Sequence, residues 1–108
     1  MTPEGKVKKR LRKKLKELPE CYVFMPVQSG LGASTLDYLC CINGRFVGIE
    51  TKKPNGELPP KMTPRQEVVA AEIEAAGGNV FLVDGDAAID FVMMRLRRLN
   101  ANHRKPGK

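Results

Sequence analysis

A carboxylate and an ammonium group lie two positions apart at the end of an apolar run, Phe46–Ile49, which reads as a β-strand. Because successive strand side chains point to opposite faces, Glu50 and Lys52 share one face and Thr51 points away. Two such groups side by side can hold a divalent metal ion and orient a water molecule. The simpler interpretation is an ion pair at an exposed strand end.

A second acid, Asp37, is expected beside Glu50 because of a predicted hairpin. Asn43-Gly44 separates two apolar runs and favours a two-residue type I′ turn. Counting outward from that turn pairs Asp37 with Glu50. Like charges in directly opposed positions destabilise a sheet, so a bound cation is the simplest reason for this pair. The same register places Gly48 on the Glu50 face, where its missing side chain predicts room for a close ligand.

The elements that must position these groups follow the order helix, three strands, helix, strand, helix. Helices are predicted at 2–18, from Thr63 to the glycines at 77–78, and at 87–99, and strands at 21–27, 37–42, 45–52 and 80–83. A strand–helix–strand sequence implies a right-handed crossover, hence an α/β fold with a mixed four-stranded sheet flanked by helices. The wholly apolar run 80–83 predicts a central strand covered on both faces.

Two further polar residues have local explanations as well as a possible place in the site. Glu4 lies in the first turn of the first helix, where the helix dipole favours an acid, and also belongs to the apolar stripe that faces inward. Gln66 completes a capping box with Thr63 at the start of the second helix. The residues alone leave both alternatives open.

Basic residues are concentrated along the first helix. The 108-residue chain has a net charge of +7, and residues 6–16 include no acid. Dense basic clusters are typical of proteins that bind a phosphate backbone, although a solvated basic helix is the alternative. The charge pattern indicates a polyanion without identifying it, and the expected phosphate contacts are Lys6, Lys8, Lys9, Arg10, Lys13, Lys53 and Arg65.

Other classes of site find little support. Three cysteines without a C-x-x-C pair predict buried thiols rather than a disulfide framework or a zinc site. The one histidine, His103, lies in a polar tail, and the small-residue loop at 29–34 does not fit a nucleotide-binding spacing. No apolar run approaches a membrane span and no signal peptide is visible, so we expect a soluble intracellular protein and no membrane partner.

Together these stretches resemble the PD-(D/E)xK nuclease superfamily, and within it the virus-type replication-repair nuclease (VRR-NUC) family. The similarity covers roughly residues 2–85. We expect a nuclease domain at 1–100 and a disordered basic tail at 101–108. Family members often have proline before the motif acid, where this chain has Leu36. The matching residues are Glu4, Asp37, the stretch from Gly48 to Lys52, the stretch from Thr63 to Gln66, and the stretch from Gly77 to Val80.

The resemblance implies roles for individual residues. Asp37 and Glu50 would bind Mg²⁺ or Mn²⁺ together with the backbone carbonyl of Thr51. Glu4 would join the metal shell, and Gln66 would line the active site. Lys52 would either activate the attacking water as a base or stabilise developing charge as a cation, and the sequence does not choose between these roles.

The implied function is divalent-metal-dependent DNA cleavage, as a homodimer acting on branched DNA such as four-way junctions. The family's habits suggest the cytoplasm of a bacterium or a phage-infected host cell. One alternative is a non-catalytic nucleic-acid-binding protein that uses its basic helix faces, with Glu50 and Lys52 as structural residues. A second alternative, an adaptor for anionic surfaces, fits the globular pattern poorly.

Overall fold

The computed structural model describes residues 2–27, 35–54 and 59–101. The predicted small-residue loop at 29–34, part of the loop after Lys53, and most of the predicted tail lie outside these ranges. Within them the chain is α/β, with three helices and a mixed four-stranded sheet. The elements are α1 Pro3–Leu15, β1 Cys21–Phe24, β2 Tyr38–Ile42, β3 Arg45–Thr51, α2 Pro64–Ala75, β4 Asn79–Val83 and α3 Asp86–Ala101.

The predicted hairpin register is confirmed. Asn43 and Gly44 both have positive φ, 55° and 83°, as a type I′ turn requires. β2 and β3 pair antiparallel from Ile42–Arg45 outward to Tyr38–Ile49. The next step along the same register brings Asp37 beside Glu50.

The strand order is β1-β2-β3-β4, with β3 and β4 parallel and joined through α2. The prediction of a central strand at 80–83 is therefore wrong, because β4 forms an edge of the described sheet. Of its residues only Val83 is fully buried. Its apolar run reflects contact with α3 on one face and α2 on the other, and neither helix covers it completely.

One face of the sheet carries the main hydrophobic core. α1 contributes Val7, Leu11 and Leu15 at helical spacing, and α3 contributes Ile89, Val92, Met93 and Leu96. These pack against alternate residues of β2 and β3, which include the fully buried Tyr38 and Ile49. The core therefore fixes α1 across the sheet at the end where β3 finishes, and this places Glu4 near Thr51.

The opposite face is covered more thinly, by α2. This helix begins with the predicted capping box: Gln66 N donates to Thr63 Oγ1 at 3.2 Å, and Thr63 N donates to Gln66 Oε1 at 2.9 Å. Gly77, with φ of 96°, follows its end. None of its residues is fully buried. The first turn of α2 lies at the end of β3, where Gln66 reaches Glu50 and Lys52.

Several predicted details are corrected. α1 ends at Leu15 rather than 18, and β1 ends at Phe24 rather than 27, while α3 continues to Ala101 through the start of the expected tail. Cys40 is buried as predicted, but Cys21 is only partly buried, and Cys41 is exposed because it points to the thinly covered face. No helix in the described ranges has the length and apolar character needed to cross a membrane.

The space predicted at Gly48 is also not a ligand site. A Cβ placed on Gly48 would lie 2.9 Å from Leu36 Cδ1 and 3.0 Å from Ile73 Cδ1. The missing side chain therefore lets Leu36 and α2 pack closely on β3. Leu36 is fully buried, which accounts for an apolar residue immediately before Asp37.

Candidate active site

The predicted site residues meet where β3 ends. Asp37 enters from the start of β2, Glu50 and Thr51 lie at the end of β3, and Lys52 follows directly. α1 supplies Glu4 on one side of the sheet. α2 supplies Gln66 on the other.

Asp37 and Glu50 are held by reciprocal hydrogen bonds to each other's strand. Asp37 N donates to Glu50 Oε1 at 3.1 Å, and Thr51 N donates to Asp37 Oδ2 at 3.0 Å. Each carboxylate is thus fixed by a backbone amide of the neighbouring strand, and the two acids are locked side by side. The predicted proximity of Asp37 and Glu50 is confirmed.

The two carboxylates nevertheless lean toward different helices. Asp37 Oδ2 also accepts a hydrogen bond from the Thr51 hydroxyl at 2.6 Å, on the α1 side of the sheet. Glu50 Oε2 accepts from Gln66 Nε2 at 2.6 Å, on the α2 side. Glu4 Oε2 lies 3.5 Å from Thr51 Oγ1 and so borders the Asp37 side of the site.

Lys52 is positioned through Gln66. Lys52 Nζ donates to Gln66 Oε1 at 2.8 Å, while the amide nitrogen of the same side chain donates to Glu50. Because Thr63 N donates to that same oxygen, the capping box fixes which way the Gln66 amide faces. The capping role and the site role of Gln66 are therefore the same hydrogen-bond network.

Burial and charge make Glu50 an unusual carboxyl. The residue is 4% exposed. Desolvation, and then repulsion from Asp37, raise its pKa from 4.5 to about 7, although the Asp37 amide and Lys52 oppose the shift. The ionised form of Glu50 is therefore disfavoured in these surroundings, and a nearby cation would stabilise it.

The oxygen donors at this point fit a hard divalent cation. Mg²⁺ and Mn²⁺ take carboxylate and carbonyl oxygens and retain several waters, so one or two carboxylates suffice. Asp37, Glu50 and the Thr51 carbonyl offer such donors, with Glu4 at the border. Within the described ranges no group of three or more His, Cys, Asp or Glu side chains is arranged to hold a metal ion. Water or substrate oxygens would therefore complete any coordination.

A cleft opens beside these groups between the start of α1 and the start of α2. Its volume is about 470 Å³. Three lysines, Lys52, Lys53 and Lys61, give it a positively charged wall. We call it the lysine cleft; it is lined by Glu4, Lys52, Lys53, Pro60, Lys61, Met62 and Thr63.

The other expected DNA contacts are distributed unevenly. Lys6, Lys9, Arg10 and Lys13 line a shallow depression of about 470 Å³ on α1, and Arg65 is exposed at the start of α2. Arg10 also pairs with Asp86 at the start of α3. Lys8 differs from its neighbours because it reaches the acidic site, as described below.

Two contributions were missed by sequence reasoning. Thr51 was expected to act only through its carbonyl, yet its fully buried hydroxyl also orients Asp37. Strand alternation does predict that the Thr51 side chain points to the face opposite to Glu50 and Lys52, which is the face where α1 packs. Lys61 carried no sequence signal, because a loop partly outside the described residues separates it from β3.

Comparisons with family models, with curated proteins and with solved structures find no match for this chain. The resemblance to VRR-NUC nucleases therefore remains an expectation from the motifs.

Proposed function

We propose that this protein is a divalent-metal-dependent DNA endonuclease of the PD-(D/E)xK type. The observation that carries the proposal is the network at the end of β3, where Gln66 joins Lys52 to Glu50 while Glu50 and Asp37 bind each other's backbone. A strand-end ion pair needs neither the second acid nor a helix cap aligned with it. The arrangement suits hydrolysis of a phosphodiester.

The metal would be held by Asp37, Glu50 and the Thr51 carbonyl, with Glu4 alongside. Mg²⁺ or Mn²⁺ held there would supply Lewis-acid polarisation of the phosphodiester and activation of water. Lys52, joined to Glu50 through Gln66, would orient an attacking water or stabilise charge on the phosphoryl oxygens. The hydrogen bond from Lys52 Nζ to Gln66 Oε1 holds the ammonium on the α2 side of the site.

The substrate we propose is branched DNA, such as a four-way junction, cut by a homodimer. Cutting both strands of a junction needs two sites, and one chain provides one site. The lysine cleft and the exposed lysines of α1 lie on either side of the first turn of α1. Each offers basic side chains that can contact a phosphate backbone.

A second candidate function, non-catalytic DNA binding, is favoured by one observation. Every oxygen of Asp37 and Glu50 has a protein donor or ammonium group within 3.7 Å. These hydrogen bonds and this ion pair would be enough to stabilise Asp37 and Glu50 in a purely structural role. The burial of Glu50 directly beside a second acid weighs against it, because adjacent like charges destabilise a purely structural strand end.

Cleavage assays separate the two candidates. Linear duplex, flap and four-way-junction DNA are incubated with Mg²⁺ or Mn²⁺ and wild-type protein, Asp37→Asn, Glu50→Gln or Lys52→Met. Glu74→Gln, which removes an exposed carboxylate on α2, is the matched control. We expect wild type and the control to cut, and the site variants to bind DNA but cut at least about 100-fold more slowly. Binding without cutting by wild type in both metals supports the binder instead.

A further inference from the structure

Lys8 is the one α1 lysine with a described contact to the acidic site. Its Nζ lies 3.7 Å from Asp37 Oδ1 and 4.0 Å from Glu4 Oε2. The Lys8 side chain is 38% exposed and that of Asp37 only 14%. Lys8 was expected to contact DNA, although its spacing of four from Glu4 already puts both on one helix face.

The fold holds Lys8 at this place. Tyr38, which is fully buried, donates its hydroxyl to the Lys8 carbonyl oxygen at 2.9 Å. Tyr38 is the neighbour of Asp37 at the start of β2, so this bond fixes the α1 backbone at Lys8 relative to the acid. The next residue, Lys9, is exposed and lines the α1 depression with Lys6 and Lys13. Adjacent lysines on one helix thus have different surroundings.

The balance of charge explains why a lysine belongs there. Glu4, Asp37 and Glu50 bring three carboxyl groups to the end of β3. Lys52 donates to Gln66 on the α2 side, whereas Lys8 lies beside Asp37 and Glu4 on the α1 side. Among the ion pairs that the structure describes, those of Lys8 join an ammonium to Asp37 and to Glu4.

We propose that Lys8 is the resident counterion of the metal-free site and that an entering divalent cation displaces its ammonium from Asp37 and Glu4. The inference rests on the proposed metal-dependent function. Once displaced, Lys8 lies at the rim of the site, where it can contact a DNA phosphate. The Lys8 side chain therefore links metal binding to one contact with the DNA backbone.

Metal titration tests the competition directly. Mn²⁺ affinity is measured by calorimetry, without DNA, for wild type, Lys8→Gln and Lys9→Gln. The two variants remove the same charge from adjacent positions, so an effect of net charge alone is equal in both. We expect Lys8→Gln to bind Mn²⁺ about two- to tenfold more tightly than wild type, and Lys9→Gln to stay within about twofold. Equal or weaker affinity in Lys8→Gln than in Lys9→Gln overturns the proposal.

A second measurement needs no metal. In EDTA, Lys8 is engaged by the carboxylates, so Lys8→Gln should leave the salt dependence of DNA binding unchanged. If Lys8 is already on a phosphate, the magnitude of that slope falls by about one. Such a fall overturns the proposal for Lys8 alone. Absence of Mn²⁺ binding in wild type and both variants instead overturns both the proposed function and this inference.

Discussion

Glu50 is the residue on which the chemistry of the site depends most. Its pKa of about 7, raised mainly by burial and then by Asp37, places its ionisation near neutral pH. A metal ion needs the ionised form, so proton and metal compete for the same carboxyl. Metal affinity should therefore rise as pH increases through this region.

The same shift predicts a pH dependence of stability without metal. Between pH 4.5 and about 7 the folded protein holds a proton on Glu50 that the unfolded chain has released. The unfolding free energy therefore falls as pH rises through that window. Glu50→Gln cannot lose this proton and should gain stability relative to wild type as pH increases. Urea unfolding in EDTA from pH 5 to 8 measures the difference, with Glu74→Gln as the control. A constant difference between Glu50→Gln and wild type contradicts the shift.

Much of the site could be predicted from the sequence, because strand alternation and turn formation depend on residues that are close together along the chain. Asn43-Gly44 determined the register that brings Asp37 to Glu50, and the capping box placed Gln66 at a helix start. The direction of each side chain was not predictable. Asp37 turns toward α1 because the Thr51 hydroxyl binds it there, and that contact depends on tertiary packing.

Among the elements, α2 has the most consequence for the site because it carries Gln66 yet is packed lightly. Its close approach depends on Gly48, where Leu36 and Ile73 fill the space of a side chain. A change at Gly48 therefore acts on the site indirectly, by moving the helix that aligns Lys52.

Gly48→Ala should destabilise the protein by about 1–3 kcal/mol, because the added methyl group overpacks a buried contact. Gly85→Ala is the matched control, since a Cβ there meets nothing within 4 Å. Gly85 immediately precedes α3, where alanine caps less well than glycine, so we expect this control to cost less than about 1 kcal/mol. Urea unfolding compares the two, and equal effects would show that α2 gives way without cost.

Element types were predictable from periodicity and caps, but sheet position was not. The run 80–83 is as apolar as a central strand, yet β4 lies at an edge because no described strand continues the sheet beyond it. The predicted length of β1 was also wrong, because the apolar run continues past Phe24 but the strand does not. Hydrophobicity indicates burial against some partner and does not identify the partner as a strand or a helix.

For the whole molecule, the distribution of positive charge predicts how DNA binding responds to salt. Each phosphate contact by a lysine releases counterions, so the slope of log affinity against log salt reports the number of contacts. If DNA passes through the lysine cleft, Lys53→Ala combined with Lys61→Ala reduces the magnitude of this slope by about two.

Lys14→Ala combined with Lys16→Ala is the control for that experiment, because it removes the same charge. These two lysines lie at the opposite end of α1 from Glu4, about 15–18 Å along the helix axis. We expect a smaller reduction in slope for this control. Equal reductions in fluorescence-anisotropy titrations would show a diffuse basic surface with no preferred path.

The reciprocal bonds between β2 and β3 also make the protein its own spectroscopic indicator. The amide protons of Asp37 and Thr51 point at the carboxylates of Glu50 and Asp37 respectively. Their nitrogen and proton resonances should therefore shift with the ionisation or ligation of the acid each one touches. Two backbone signals, followed separately, distinguish events at one carboxylate from events at the other.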